Sequence, residues 1–188
     1  RIKYIKKFIN KEDYALEVGA SAGQFIAHIK DRVKKVDAIE LDTNCAKFIN
    51  EKFKIDVDTN ELNHSKFRNN IYSCVFSFQV LEHTNEPQEF INELLSVTKK
   101  GGNIFLEFPN INDPLLSIWS IENYKKFFFH SAHLHYFSEK SIVNLLSKMN
   151  INENSYKIFY NQDYNILNHI NWLINKKPQE TCHPGLGE

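Results

Sequence analysis

The sequence predicts an α/β fold: a doubly wound, Rossmann-like, mostly parallel sheet with helices on both faces. Three observations carry that prediction. Short apolar runs alternate with stretches of helical periodicity through the first 108 residues. The connections between them are short, as suits crossovers that return to the same side of the next strand. The most apolar run, Ile71 to Phe78, is too continuous for a strand with one solvated face, and so predicts a buried strand at the sheet centre.

Taken in order, Ile2, Ile5, Phe8 and Ile9 share helical spacing and predict an amphipathic N-terminal helix. Tyr14 to Val18 reads as a short buried strand that Gly19 ends. Phe25, Ile26 and Ile29 give the next stretch a helical apolar face, and Val36 to Leu41 a second strand. Ala46 to Phe53 predicts another helix, and Ile55 to Val57 a weak strand before a polar loop. After the Ile71 to Phe78 strand, Glu86-Pro87 opens a helix to about Val97, since proline is tolerated in a first helical turn. Lys100-Gly101-Gly102 reads as the close of that helix, and Asn103 to Phe108 as a further strand.

The later chain is less regular. It holds an aromatic stretch from Leu115 to Phe129, a helix at Glu139 to Met149, a strand near Glu153 to Tyr160 and a helix near Tyr164 to Asn175. Nothing after Trp172 reads as a closing antiparallel strand, so the seventh strand usual in such sheets is expected to be missing. The predicted organisation is one domain over 1–175 with a polar tail over 176–188. The absence of an initiating Met suggests a trimmed or renumbered chain.

Composition narrows the function classes. Lysine plus arginine number 23 and aspartate plus glutamate 23, so no net field draws the chain to nucleic acid or anionic lipid. Cys45, Cys74 and Cys182 are widely spaced and form no C-x-x-C pair, which argues against a zinc or redox centre and for a reduced, cytoplasmic location. No apolar run approaches the roughly 20 residues of a membrane span. The expectation is a partner that is a small molecule, with no nucleic acid, no membrane span and no metal.

In an open parallel sheet, ligands bind beyond the carboxyl ends of the strands where strand order reverses, which places the loop after the first strand at the site. That loop runs Glu17-Val18-Gly19-Ala20-Ser21-Ala22-Gly23. Glycines at the strand exit and at the helix start let backbone approach a small ligand; the alternative is an ordinary tight turn. Glu40, at the end of the second strand and about 20 residues beyond, is placed to accept ribose hydroxyls, with Asp42 a nearby competitor.

Taken with Phe76-Ser77-Phe78-Gln79-Val80-Leu81-Glu82-His83, Pro87, Lys100-Gly101-Gly102 and Phe108-Pro109-Asn110, this loop resembles that of the class I S-adenosylmethionine (SAM)-dependent methyltransferases. The family's first motif is acid-x-Gly-x-Gly-x-Gly; Glu17, Gly19 and Gly23 match, and Ser21 replaces the middle glycine. The resemblance spans about Ala15 to Met149. It implies SAM as cofactor and S-adenosylhomocysteine (SAH) as product. By position, it implies Glu17 and Gly19 near the methionine part, Glu40 on the ribose, Glu61 and Leu62 near adenine, and Phe78 and Gln79 beneath the sulfonium, with Ala20, Ser21, Gly23 and Leu41 also among the cofactor-binding residues.

Two further readings compete. One is a nicotinamide-dependent oxidoreductase, whose diphosphate calls for Gly-x-Gly-x-x-Gly, whereas Gly19-x-x-x-Gly23 suits a ligand without phosphates. The other is a binding or scaffolding subunit that has lost catalysis, favoured by Ser21 and the missing strand.

For the acceptor, the segment His133-Leu134-His135-Tyr136-Phe137-Ser138 resembles one bordering the acceptor pocket in small-molecule members. It makes His133 and His135 candidate bases, set against a reading as hydrogen-bonded loop histidines. His83 belongs to the recurrent Leu-Glu-His turn and is read as structural. Tyr124, Phe127, Phe128 and Phe129 are either core or an apolar lid. Tyr164 to Leu173, with Asn168-His169 and then Lys177-Pro178, resembles methyltransferases of bacterial capsule biosynthesis and surface-glycan modification. The expected reaction is O-methylation of a small polar metabolite or surface-polysaccharide precursor at a sugar or phosphoramidate hydroxyl.

Overall fold

A computed structural model of the chain describes residues 1–69, 71–161 and 166–176, with the side chains of 166–168 left out. The chain divides into two compact units, Arg1–Phe108 and the part from Pro109 onward.

The first unit is a five-stranded sheet: β1 (Tyr14–Val18), β2 (Lys35–Ile39), β3 (Asp56–Asp58), β4 (Tyr72–Phe78) and β5 (Thr98–Glu107). The strand order is β3-β2-β1-β4-β5, and every pairing is parallel. Order reverses between β1 and β4, so the loops leaving their carboxyl ends flank the switch point where such sheets take ligands. All seven residues of β4 are buried, as its unbroken apolar run requires, although the middle position belongs to β1.

Four helices accompany these strands: α1 (Ile2–Ile5), α2 (Gln24–Ile29), α3 (Thr43–Phe53) and α4 (Pro87–Val97). Alternation along β1 sends Ala15 to one face, with Ile26, Ile29 and Phe76. Leu16 and Val18 go to the other, with Tyr72, Leu94 and Val97. Ile2 and Ile9 pack against the first cluster, but the predicted single N-terminal helix is α1 followed by a 3₁₀ turn at Lys6–Phe8.

Lys100-Gly101-Gly102 does not close α4. That helix ends at Val97, and the glycines lie inside β5, in an irregularity where Tyr72 pairs Thr98 but Cys74 pairs Asn103. Gly101 has φ +77°, and a Cβ on Gly102 would stand 2.9 Å from the carbonyl oxygens of Lys99 and Ser73. The pair therefore marks a bulge, which composition alone does not separate from a helix stop.

A buried polar network sits among the strands. Asp37 accepts from the Tyr72 hydroxyl at 2.9 Å. The Lys35 ammonium lies 3.1 Å from its Oδ2, in hydrogen-bonding geometry, and 2.9 Å from its Oδ1.

The second unit holds α5 (Pro114–Ser117), α6 (Glu122–Phe128), α7 (Glu139–Lys148) and α8 (Ile166–Asn175). Ser138 and Ser141 form a reciprocal capping box at the start of α7. Its core joins Leu115, Leu116, Tyr124, Phe128 and Trp172; Tyr124 and Phe128 are thus packing residues rather than a lid, while Phe127 and Phe129 are exposed. The strand expected near Glu153 to Tyr160 is instead a 3₁₀ turn at Glu153–Ser155 followed by residues outside any ladder. No antiparallel strand occurs among the described residues. Lys177-Pro178, Cys182 and most of the 176–188 tail lie outside them.

Candidate functional site

The loop between β1 and α2 is held by backbone. Gly19 N–H and Ala20 N–H both donate to the Ile39 carbonyl, at 2.8 and 3.2 Å, and Gly23 N–H donates to Ala20 at 2.8 Å. Gly19 and Gly23 adopt φ of +79° and +76°, the left-handed region that glycine enters without penalty. Space demands glycine too. A Cβ on Gly19 would lie 2.3 Å from Val80 Cγ2, and one on Gly23 would lie 2.9 Å from Phe53 Cε2. The loop leaving β1 and the loop leaving β4 therefore meet without room for a methyl group.

Ser21, the departure from the glycine pattern, also sits at positive φ, +49°. Its side chain is exposed, and its N–H donates to Glu40 Oε2 at 2.6 Å. Serine is thus accommodated by facing outward while its backbone keeps the loop's path.

Glu40 is fixed at both oxygens, for Asp42 N–H donates to Oε1 at 2.9 Å. Each carboxylate oxygen has two lone pairs, so both can still accept from a diol. Asp42 is already engaged: its carboxylate caps α3, accepting from Asn44 N–H at 2.9 Å and Cys45 N–H at 2.8 Å. Between the two competitors for the ribose role, Glu40 is the one held at the loop. Leu41 beside it is 57% exposed, an apolar surface just beyond the end of β2.

Glu17 is buried, and its Oε2 has no hydrogen-bond partner. Burial pushes its carboxyl up to about 8, with Arg1 drawing it down and Glu40 pushing it up. Phe78 is buried among Phe25 and Phe76, at centroid distances of 4.9 and 6.0 Å. Gln79 takes φ +58° at the exit of β4; its N–H donates to the Glu107 carbonyl at 2.7 Å, and its Nε2 to Glu107 Oε1 at 3.2 Å.

Sequence reasoning passes over two charged residues here. Arg1 Nε donates to Glu107 Oε1 and Oε2 at 2.9 and 3.0 Å, and its guanidinium carbon lies 4.9 Å from the Phe78 ring centroid. Burial raises the Glu107 carboxyl, but the hydrogen bonds and charge of Arg1, with the Gln79 bond, outweigh it and hold Glu107 below the usual carboxylate range. No local motif announces this pair, which stands 106 positions apart; only the return of β5 beside β4 brings it together.

After β3, Asp58 is saturated: it accepts from Ser65 Oγ at 2.7 Å, Lys66 N–H at 2.6 Å, and Asn60 N–H and Nδ2 at 3.2 and 2.9 Å. Burial pushes this carboxyl up, yet those donors bring it to about 2. Of the two residues read as near adenine, Glu61 is exposed and Leu62 is buried with Leu16, Val18 and Ile39. A concavity of about 390 Å³ opens beside them, lined by Asp58, Asn60, Ser65, Lys66 and Arg68 among others. It does not reach Gly19 to Gly23, and Asp58 and Lys66 in it are mutually engaged.

His133 and His135 belong to the second unit, in irregular chain rather than a strand. His133 N–H donates to the His130 carbonyl at 3.1 Å, its ring lies 3.9 Å from that of His130, and the His135 ring stacks near Phe137 at 6.1 Å. His169 is buried, its ring 5.7 Å from Trp119.

The strand ends of the first unit thus carry Glu17, Glu40 and Glu107, one guanidinium, exposed Leu41 and the backbone of a tight glycine loop. That donor set fits a cationic, phosphate-free ligand with an apolar base and a diol.

Comparisons agree with this reading of the sheet. The YcgJ protein of Bacillus subtilis superposes with a TM-score of 0.62 at 16% identity, covering 78% of this chain and 65% of that one. The plantazolicin methyltransferase BpumL, solved with SAH, gives 0.62 at 14% identity, covering 78% and 59%. An S-adenosylmethionine-dependent methyltransferase from Clostridium acetobutylicum ATCC 824 gives 0.54 at 10% identity, covering 62% and 50%. The chain thus spans less than two thirds of the length of these structures. No curated protein matches it. A family model described as a methyltransferase domain matches residues 1–152, and with the switch-point loop, the parallel order and the acidic rim in place, the chain belongs to that methyltransferase-domain family.

Proposed function

We propose that this chain binds SAM at the carboxyl ends of β1, β2 and β4 and transfers its methyl group to a hydroxyl of a small polar acceptor. The observation that carries the reading is the Glu40 carboxylate tied to Ser21 and Asp42 backbone beside a glycine loop too tight for a Cβ. The acceptor we assign is a small polar metabolite or a surface-polysaccharide precursor, offering a sugar or phosphoramidate hydroxyl.

When bound, SAM supplies an electrophilic methyl carbon on a positive sulfur that leaves as a neutral thioether. The chain's own task is alignment, and holding two reactants in near-attack geometry contributes on the order of 7–11 kcal/mol. Glu40 would accept the ribose hydroxyls with Leu41 beside it, exposed Glu61 would border the base, Leu62 would reach it only through its backbone because its side chain lies in the core, and Gly19, Ala20, Ser21 and Gly23 would admit the methionine portion. Glu17 and the Phe78-Gln79 turn would lie beside the positive end. We assign the hydroxyl proton to His133 or His135, on the resemblance of residues 133–138 to an acceptor-bordering segment. A base there is worth roughly a hundred- to ten-thousandfold in rate.

Methyl-labelled SAM incubated with the chain and a panel of sugars, sugar phosphoramidates and amines tests the reading. Label in a hydroxyl-bearing acceptor, lost on heat denaturation and reduced at least a hundredfold in the double variant His133→Ala/His135→Ala, is the expected result. Label confined to amines would replace the acceptor class.

A further inference from the structure

Glu17 presents a carboxylate oxygen, Oε2, that is buried with no hydrogen-bond partner, on a residue only 3% exposed. Its register neighbours are Ala38 on β2 and Phe76 on β4, whose side chains offer it neither charge nor a donor. Two charged groups act on it, Arg1 from the N-terminal segment and Glu40 from the end of β2. Arg1 is committed to Glu107 by three hydrogen bonds, and Glu40 repels. An ionised carboxylate placed this way is short of a counter-charge.

We propose that Glu17 sets this site's preference for the charged methyl donor over its uncharged thioether product, through the charge of its own carboxylate. The inference rests on the SAM reading given above. Donor and product differ by one methyl group and one positive charge. A group that separates them must sense charge more than shape, and Glu17 lies in the strand that delivers the glycine loop.

Because burial pushes this carboxyl up to about 8, the preference depends on pH. Near pH 6.5 Glu17 is neutral and treats sulfonium and thioether alike. Near pH 9 it is ionised and favours the sulfonium. A unit charge pair about 12 Å apart at an effective dielectric constant of about 20 supports roughly a tenfold difference, and a closer pair supports more. The proton leaves to solvent and no covalent bond changes.

The test is calorimetric titration of the full chain and of Glu17→Gln with SAM and, separately, with SAH at pH 6.5 and 9. The ligands' own amine titration is common to both proteins and cancels when the wild-type ratio of SAM to SAH affinity is divided by that of the variant. The quotient should rise about tenfold between the two pH values. Carboxyl ¹³C NMR of the ligand-free wild type supplies a second readout that needs no variant. It should show a glutamate resonance titrating near 8 that moves toward its ionised position on adding SAM more than on adding SAH. A flat quotient with every titration still showing binding, or no glutamate titrating between pH 7 and 9, would overturn the inference and leave the cofactor reading standing. Failure of the folded wild type to bind either ligand would overturn the cofactor reading itself.

Discussion

At the scale of single residues, the acids of the first unit do different work according to what surrounds them. Glu40 and Asp42 are two positions apart, yet one spans two loops and the other caps a helix. Removing Glu40 takes away both the diol acceptor and the tether on Ser21, so Glu40→Ala should weaken SAM binding at least tenfold, measured by calorimetry. Asp42→Ala should lower the denaturation midpoint through the lost cap and change affinity far less. Asp37 is a third case, buried with Tyr72 as donor. Tyr72→Phe should lower stability by about 1–3 kcal/mol in urea denaturation, because a buried carboxyl loses a donor without being removed.

At the scale of elements, the glycine loop shows what was legible in the sequence and what was not. The spacing of Gly19 and Gly23 pointed to backbone approach at the end of β1, and periodicity marked β1, β4 and α4. The neighbour that enforces Gly19 is Val80, across the sheet switch, and no local pattern names it. Gly19→Ala should therefore cost several kcal/mol, part from a left-handed φ at about 1–2 kcal/mol and part from the clash. In Gly19→Ala/Val80→Ala only the clash should be relieved. A double-mutant cycle by chemical denaturation measures the coupling.

The bulge at Gly101-Gly102 escapes local pattern for a related reason. Lys-Gly-Gly after an apolar periodic stretch suits a helix stop as well as a strand irregularity, and only pairing with β4 decides. The Arg1–Glu107 pair was invisible because it depends on sheet order. The loop after β3 was the faintest part of the site. Asp58 organises it through Ser65, Lys66 and Asn60, and polar spacing of that kind has no period.

At the scale of the whole molecule, two carboxyls should shape stability against pH in opposite senses. Asp58 is depressed to about 2. Its contribution is therefore present above its unfolded value near 4 and is lost as pH falls through about 2; Asp58→Asn should flatten the acid limb of a denaturation midpoint series. Glu17 is raised to about 8. Its neutral form is the one the fold favours, so stability falls as pH climbs from about 4.5 to 8, and Glu17→Gln should gain on wild type over that window in the same series. The parallel order and the alternation that produces it were legible because strand and helix periods differ. The second unit was less so, since its aromatic run serves the core through Tyr124 and Phe128 while Phe127 and Phe129 stay outside.

If the groups Glu17, Gly19 to Gly23, Glu40 and Gln79 hold SAM, as we propose, they must also hold its product. Calorimetric titration of the folded chain with SAH tests this most directly. Saturable binding at one site per chain, weakened at least tenfold in Glu40→Ala and little changed in Asp42→Ala, is the predicted result. A folded wild-type chain that takes up neither SAH nor SAM would rule out a SAM site on these strand ends.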